Sequence, residues 1–184
     1  IHIHGNSGTM IFEAMIGKLL HVRKIVVHCH NNHTNYPILN KILKKFLKFF
    51  YTDAIACSKL AGDWLFGKQN YHILKNGIDT QKFMFSYDNY LKIRKELQIS
   101  NELVLGHVGL FNYQKNQEFL LNILNELNKR NIPAKLLLIG DGELKAAIKN
   151  KIKEMKLTKH VIILNNRDDI YSLLSCMDIF VFPS

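Results

Sequence analysis

The chain has 184 residues, 47% of them hydrophobic, with 25 Lys and Arg against 15 Asp and Glu for a formal charge of +10. That apolar content supplies a core and excludes a disordered polyelectrolyte, and the length allows one or two small domains. No apolar run is long enough for a bilayer-spanning helix, and the basic balance favours an acidic partner: nucleotide phosphate, anionic membrane or nucleic acid.

Ile1-His2-Ile3-His4 reads as a strand already under way, closed by Gly5-Asn6-Ser7-Gly8. The far end, Ile179-Phe180-Val181-Phe182-Pro183-Ser184, reads as a buried strand and its exit turn. The expectation is a piece cut from a longer protein at both ends. A helix is predicted over 9–20 with Ile11, Ala14, Met15 and Leu19 inward. The β-branched run 24–30 follows as a strand ending in His28-Cys29-His30, then a polar loop from Asn31 to Asn35, with Pro37 near a helix start.

Residues 38–51 are strongly amphipathic. Ile38, Leu39, Ile42, Leu43, Phe46, Leu47 and Phe50 form the apolar set, and Lys41, Lys44, Lys45 and Lys48 lie opposite. Two readings stand: a core helix with a solvated lysine face, or a helix lying on an anionic membrane surface. Residues 53–57 form a short strand, Ser58 is placed to cap a helix carrying Trp64, Leu65 and Phe66, and 71–74 is a further strand before the turn 75–79. The domain junction is placed within 79–100, which contains Phe83, Phe85 and a helix over 88–97.

Residues 103–117 organise the remainder. A buried strand breaks at Gly106 and Gly109, and a helix is predicted from 115 to 130 with Phe119, Leu120, Ile123, Leu124 and Leu127 on one stripe. A strand feeding a loop and then a helix N-terminus builds an anion site from free amides and the helix dipole, and Lys115 adds a full charge. The alternative is an ordinary βα turn with an exposed lysine. The rhythm repeats: strand 134–139, turn Gly140-Asp141-Gly142, a Lys-rich helix to 156, strand 161–164, a helix capped by Asp168 or Asp169, and the last strand 179–182. Strands alternating with helices predict an α/β fold with parallel, doubly wound sheets, whose strand carboxyl ends share one ligand-binding rim.

Gly140-Asp141-Gly142 is half of a dinucleotide fingerprint, but Lys145 stands where the third glycine belongs, so NAD is not supported. It is either a one-phosphate nest or a tight turn. His2 reads as structural within its strand, whereas His4 ends it. His28 and His30 point to one face of their strand, and a metal would need a further ligand such as His33. A polar contact from His30 to a sugar hydroxyl or phosphate is preferred, and no metal ligand is assigned. Cys29, Cys57 and Cys176 form no Cys-x-x-Cys pair, which excludes a zinc knuckle or thioredoxin-like motif and fits buried thiols in a reducing cytosol. Neither a Gly-x-Ser-x-Gly elbow nor a Walker loop is present. Most aromatics lie on apolar stripes rather than among basic residues, so nucleic acid is not expected.

Blocks in one order now resemble the retaining glycosyltransferases of family 4, particularly bacterial capsular and exopolysaccharide sugar transferases. They are Ile1-His2-Ile3-His4-Gly5-Asn6, Val27-His28-Cys29-His30-Asn31, Ala56-Cys57-Ser58, and Asn76-Gly77-Ile78-Asp79 with Phe83. Then come Gly106-His107-Val108-Gly109 through Gln114-Lys115-Asn116, Leu138-Ile139-Gly140-Asp141-Gly142-Glu143, and Phe180-Val181-Phe182-Pro183-Ser184. The resemblance implies a GT-B fold of two facing Rossmann-like domains. Residues 1–78 would be the C-terminal part of the acceptor-side domain, 79–100 the connection, and 101–184 the start of the donor-binding domain.

It also implies transfer from a nucleotide-sugar, commonly a UDP-sugar, to a glycan or lipid-linked acceptor in surface polysaccharide synthesis. The anomeric configuration would be retained, with no cofactor and no essential metal. By position, Lys115 would neutralise the donor diphosphate and His30 would lie near the transferred sugar. Gly109, Gly140, Gly142, Glu143, Asn166 and Arg167 would line the donor site, and His4, Gly5, Asn6 and Asn31 the acceptor-side cleft. The family's arginine after the donor-loop glycine is here Leu110, which removes a bidentate phosphate ligand. The family's paired glutamates fall beyond the final Pro-Ser. The expected setting is the cytoplasm, peripheral on the inner face of the plasma membrane through Lys41, Lys44, Lys45 and Lys48, and the isolated fragment is expected to be inactive. The rivals are a catalytically weakened nucleotide-sugar binder and a basic, non-enzymatic protein binding lipid or nucleic acid.

Overall fold

Short apolar strands alternate with helices along the chain, and among the described residues every strand pair is parallel. Parallel neighbours need a crossover, which the helices supply. The computed structural model describes residues 1–183. They divide into two units, with the boundary between Ile78 and Asp79.

In the first unit the sheet runs β1-β2-β3-β4, from His2–Gly5, Val26–Cys29, Asp53–Ala56 and His72–Ile73. Alternation along the strands sends Ile3, Val27, Cys29, Ala54 and Ala56 to one face, where they meet Met10, Ala14, Leu47, Leu65 and Phe66. Three helices connect the strands: α1 Ile11–Leu19, α2 Pro37–Leu47 and α3 Lys59–Phe66. Ser58 caps α3 as expected, its hydroxyl accepting the Ala61 N–H at 3.2 Å.

Two inward faces differ from expectation. On α1 the buried residues are Ile11, Ala14 and Gly17, whereas Met15 and Leu19 are exposed. Gly17 lets the helix approach closely, since a Cβ there would lie 2.7 Å from Ile1 Cδ1. On α2 the buried residues are Asn40 and Leu47, with Leu43 and Lys44 half-buried. The Asn40 amide oxygen accepts the Gly8 N–H at 2.6 Å, and a Cβ on Gly8 would meet the Lys44 backbone nitrogen at 2.5 Å. That contact turns Ile38, Leu39, Ile42 and Phe46 to the outside. Lys44 turns inward and donates to the Trp64 carbonyl at 3.0 Å.

The second unit has strands β5 Leu103–Val108, β6 Ala134–Ile139, β7 Val161–Leu164 and β8 Ile179–Phe180 in the order β7-β6-β5-β8. Its helices are α4 Tyr87–Glu96, α5 Gln117–Lys129, α6 Lys145–Glu154 and α7 Ile170–Ser175. Both faces of the sheet are covered, as parallel sheets require. Leu105, Leu136 and Leu138 pack with Phe111, Leu120, Leu124 and Ile148. Val104, Leu137 and Ile139 pack with Ile93, Ile99, Leu173 and Cys176.

Residues 79–100, read from sequence as a connection, give α4 to this unit. Buried Arg94 donates to the Asp178 carboxylate at 2.6 Å, and the same oxygen accepts the Val104 N–H at 2.7 Å. The order of strands reverses beside β5: the chain moves outward through β6 to β7, then returns to place β8 on the opposite side. Ligands of open parallel sheets bind at such a reversal, outside the strand carboxyl ends.

Candidate functional site

At that reversal stands the loop after β5. Asn112 accepts the Lys115 N–H at 3.0 Å and caps the short 3-10 turn Tyr113–Lys115. Asn116 then adopts φ 47, so α5 begins at Gln117 rather than at 115. The turn sets the Lys115 stem beside Gly109, whose added Cβ would lie 3.5 Å from Lys115 Cδ. The Lys115 ammonium sits 4.1 Å from the centroid of the Phe182 ring, just past β8. The lysine therefore bridges the exits of β5 and β8.

Three amides of this loop have partners within the protein. Gly109 N–H donates to the Ile139 carbonyl, Phe111 N–H to Asp141 and Asn112 N–H to Leu110. Those three groups are engaged within the protein and are not open to an anion. The charge offered to a ligand here is the Lys115 ammonium.

The pair Gly140 and Gly142 has a structural explanation. Both take positive φ, +141° and +151°. A Cβ on Gly140 would lie 2.1 Å from the Gly109 carbonyl oxygen, and one on Gly142 would lie 2.6 Å from that of Phe111. The glycines thus let the turn after β6 press against the loop after β5. The Gly142 N–H donates to the Asp141 carboxylate at 2.8 Å and the Gly140 N–H to the Leu164 carbonyl at 3.0 Å. These contacts are those of a tight turn, and the amides of both glycines are engaged within the protein. Lys145, where a third glycine would stand, is largely buried and donates to the Gly140 carbonyl at 3.3 Å and to Asn165.

Beside these loops lies a cavity of about 280 Å³ whose wall includes Gly109, Leu110, Gly140, Asn166 and Arg167, with Val108, Ile139 and Ile170 as its apolar part. Four residues expected at a donor site are brought together there. Gly142 and Glu143 are not among its lining residues, and Glu143 is exposed. Arg167 is already neutralised. Its guanidinium donates twice to the Asp169 carboxylate, at 2.7 Å each, and to Glu96 at 3.0 Å, and these partners raise its pKa further. Asp169 occupies the N-cap position of α7 without a side-chain cap bond, because Arg167 holds its carboxylate. Leu110 is 61% exposed at the rim.

Sequence reasoning missed His107. It is fully buried beside Lys115 and Phe182, with Nδ1 2.9 Å from the Val181 carbonyl. Burial lowers its pKa and the lysine charge lowers it further, against the opposing hydrogen bond to Val181. A neutral imidazole therefore supports the lysine. The spacing Asn112-x-x-Lys115 is a readable capping signal, but nothing local links Phe182 to it.

In the first unit the strand exits meet. The His30 N–H donates to the Gly5 carbonyl at 3.0 Å, which brings Gly5 and Asn6 beside His30 and Asn31. His4 Nδ1 and His30 Nε2 are 2.8 Å apart. His2, read as structural, joins His4 and His28 on the same sheet face, whereas His33 lines a separate cavity with Asn40, Lys41 and Trp64. The His28-x-His30-x-x-His33 grouping is therefore not formed. His28 is buried, and its pKa is pushed down to about 4 by burial, then by the neighbouring His30, His4 and His2.

Two α/β units of parallel strands, the second with its strand order reversed beside β5, are the GT-B architecture. The solved structure of Anabaena Alr3699/HepE in complex with UDP-glucose superposes with a TM-score of 0.82 at 21% identity, over 100% of this chain and 53% of that one. Residues 89–184, just over half the chain, match the family described as Glycosyl transferases group 1, and the chain belongs to that family. It is 30% identical over 196 residues to the Bacillus subtilis (strain 168) protein named "Putative glycosyltransferase EpsF", covering 100% of this chain and 51% of that protein. It is also 30% identical over 116 residues to the Escherichia coli UDP-Gal:alpha-D-GlcNAc-diphosphoundecaprenol alpha-1,3-galactosyltransferase, covering 61% of this chain and 30% of that enzyme. The chain thus spans about half the length, or less, of these curated relatives.

Proposed function

We propose that these residues are the adjoining parts of a retaining, family 4 glycosyltransferase that moves a sugar from a UDP-sugar to a glycan or lipid-linked acceptor in surface polysaccharide synthesis. Asp79 onward is the donor side and the unit ending at Ile78 the acceptor side. The observation that carries this reading is the position of Lys115 at the strand-order reversal, beside Gly109 and over the Phe182 ring. The relatives' names supply the donor and acceptor classes: the Escherichia coli enzyme's names a UDP-sugar and a diphosphoundecaprenol lipid, and HepE was solved with UDP-glucose.

When the bond between the sugar and the diphosphate breaks, negative charge develops on the departing oxygens. A positioned ammonium stabilises that charge, and such electrostatic stabilisation is the largest need of the reaction. Lys115 fills this role in the second unit, and in the first unit His30, with Asn31, His4, Gly5 and Asn6, makes up the acceptor side. Gly109, Gly140, Asn166 and Arg167 wall the donor pocket, Arg167 acting through shape because its charge is already paired. Gly142 and Glu143 belong to the turn that follows Gly140 and complete the donor side. The transfer needs no metal or other cofactor in this scheme. Turnover by the 184 residues alone is not expected, given their share of the relatives' length. Leu110 favours a second reading, in which donor is held weakly and turned over poorly.

On α2, exposed Ile38, Ile42 and Phe46 form an apolar stripe beside exposed Lys41, Lys45 and Lys48. That pattern supports a cytoplasmic enzyme resting on an anionic membrane face. Among the described residues no helix is long and apolar enough to cross a membrane. Calorimetric titration of the chain with UDP and with uridine tests the donor assignment: UDP should bind clearly more tightly, and equal affinity would remove the phosphate from the account.

A further inference from the structure

The first sheet carries a second chemical feature, which shares His4 and His30 with the acceptor side proposed above. On β1, His2 and His4 are two residues apart and share a face. On β2, His28 lies directly across from His4 in the parallel register. Ring centroids are 4.0 Å apart for His2 and His4, 5.3 Å for His2 and His28, and 5.1 Å for His4 and His28. One ring nitrogen from each of the three lies within 4.8 Å of the others.

We infer that His2, His4 and His28 form a transition-metal site of the zinc class on this sheet face. Imidazoles bound tetrahedrally at the usual Zn–N distance of about 2.0–2.1 Å place their centroids roughly 5 Å apart, close to the spacing here. Small side-chain rotations about fixed strands complete the approach.

The second observation is His28. It is only 4% exposed, and neither of its ring nitrogens has a hydrogen-bond partner among the described residues. Buried polar atoms are ordinarily paired, and a metal on one nitrogen supplies the missing interaction. His30 completes the arrangement from outside the three. Its contact with His4 Nδ1 leaves His4 Nε2 for the metal and orients the ring, as a hydrogen-bond partner on the second nitrogen does for a ligating histidine. Neutral imidazoles suit Zn, Cu and Ni. Three such ligands leave a fourth position for water or an anion.

The test uses the untagged 184-residue chain, stripped with chelator, and zinc alone as the probe. Competition with a chromophoric chelator should show one equivalent of Zn²⁺ bound, with a rise in Tm that excess chelator reverses. Failure of the wild-type chain to bind one equivalent would overturn the inference outright. His2→Ala and His4→Ala, both at exposed positions, should each weaken binding at least ~10-fold while circular dichroism is preserved. Histidine ring signals in NMR should move for His2, His4 and His28 on zinc addition. Unchanged affinity in both variants, or shifts confined to other histidines, would place the metal elsewhere and end the proposal. Donor binding through Lys115 does not enter these readouts, so either proposal can fail alone.

Discussion

The carbonyl oxygen of Gly109 lies 2.1 Å from the point a Cβ on Gly140 would occupy. Two loops separated by a strand and a helix in the chain are therefore in backbone contact, and only the missing side chain permits it. Gly140→Ala adds that clash to a φ of +141°, which is itself strained for an L-residue. The variant should lose at least about 2 kcal/mol of stability, read as a lower urea midpoint at unchanged m-value. A wild-type midpoint would mean that the loops are not in contact.

His28 predicts an acid-side loss of stability. Unfolded, its imidazole takes a proton near 6.5; folded, it does so only near pH 4. Above pH 6.5 both states are neutral and the native advantage is complete. As pH falls from 6.5 toward 4 the unfolded chain binds the proton and the native chain does not, so stability drops by about 1.4 kcal/mol per pH unit. Denaturation with chelator present should lose about 2 kcal/mol between pH 7.5 and pH 5, and His28→Gln should flatten that slope. Equal slopes in the two proteins would contradict the buried neutral assignment.

On the proposed donor assignment, an arginine in place of Leu110 would supply a bidentate phosphate ligand. Leu110 is exposed on the rim of the donor-side cavity, so a longer side chain meets no core. Leu110→Arg should raise UDP affinity roughly 10-fold, the scale of one charge-assisted contact, without changing uridine affinity. No gain for UDP would mean that the loop lies away from the diphosphate.

The exposed stripe on α2 makes a separate prediction. Lys41→Glu, Lys45→Glu and Lys48→Glu together reverse the charge beside Ile38, Ile42 and Phe46, and none of the three lies in a core. Co-flotation with vesicles of phosphatidylglycerol should be lost in this variant and retained by wild type. Wild-type protein that ignores such vesicles would leave the lysines as ordinary solvated charge.

Much of this architecture was legible from local pattern. The stripe Leu120, Leu124 and Leu127 and the Ser58 cap are consequences of neighbours a few residues apart. What escaped depended on distant contacts. Periodicity marks a helix's apolar stripe but not what covers it, so Met15 and Leu19 were placed inward although Ile11, Ala14 and Gly17 make the contact. The close approach that Gly140 permits involves Gly109, some thirty residues away, and no local pattern signals it. Asp169 looked like a cap until Arg167, two residues earlier, was seen to hold it. The approach of the His2 ring to that of His28 depends on the pairing of β1 with β2, which is not written in either strand alone.

The account turns on whether Lys115 meets the donor diphosphate, and calorimetry of Lys115→Ala against wild type measures that contact most directly. UDP affinity should fall by about 10-fold or more, the loss of one charge-assisted contact, while uridine binds both proteins alike. UDP bound equally by the two would contradict the assignment.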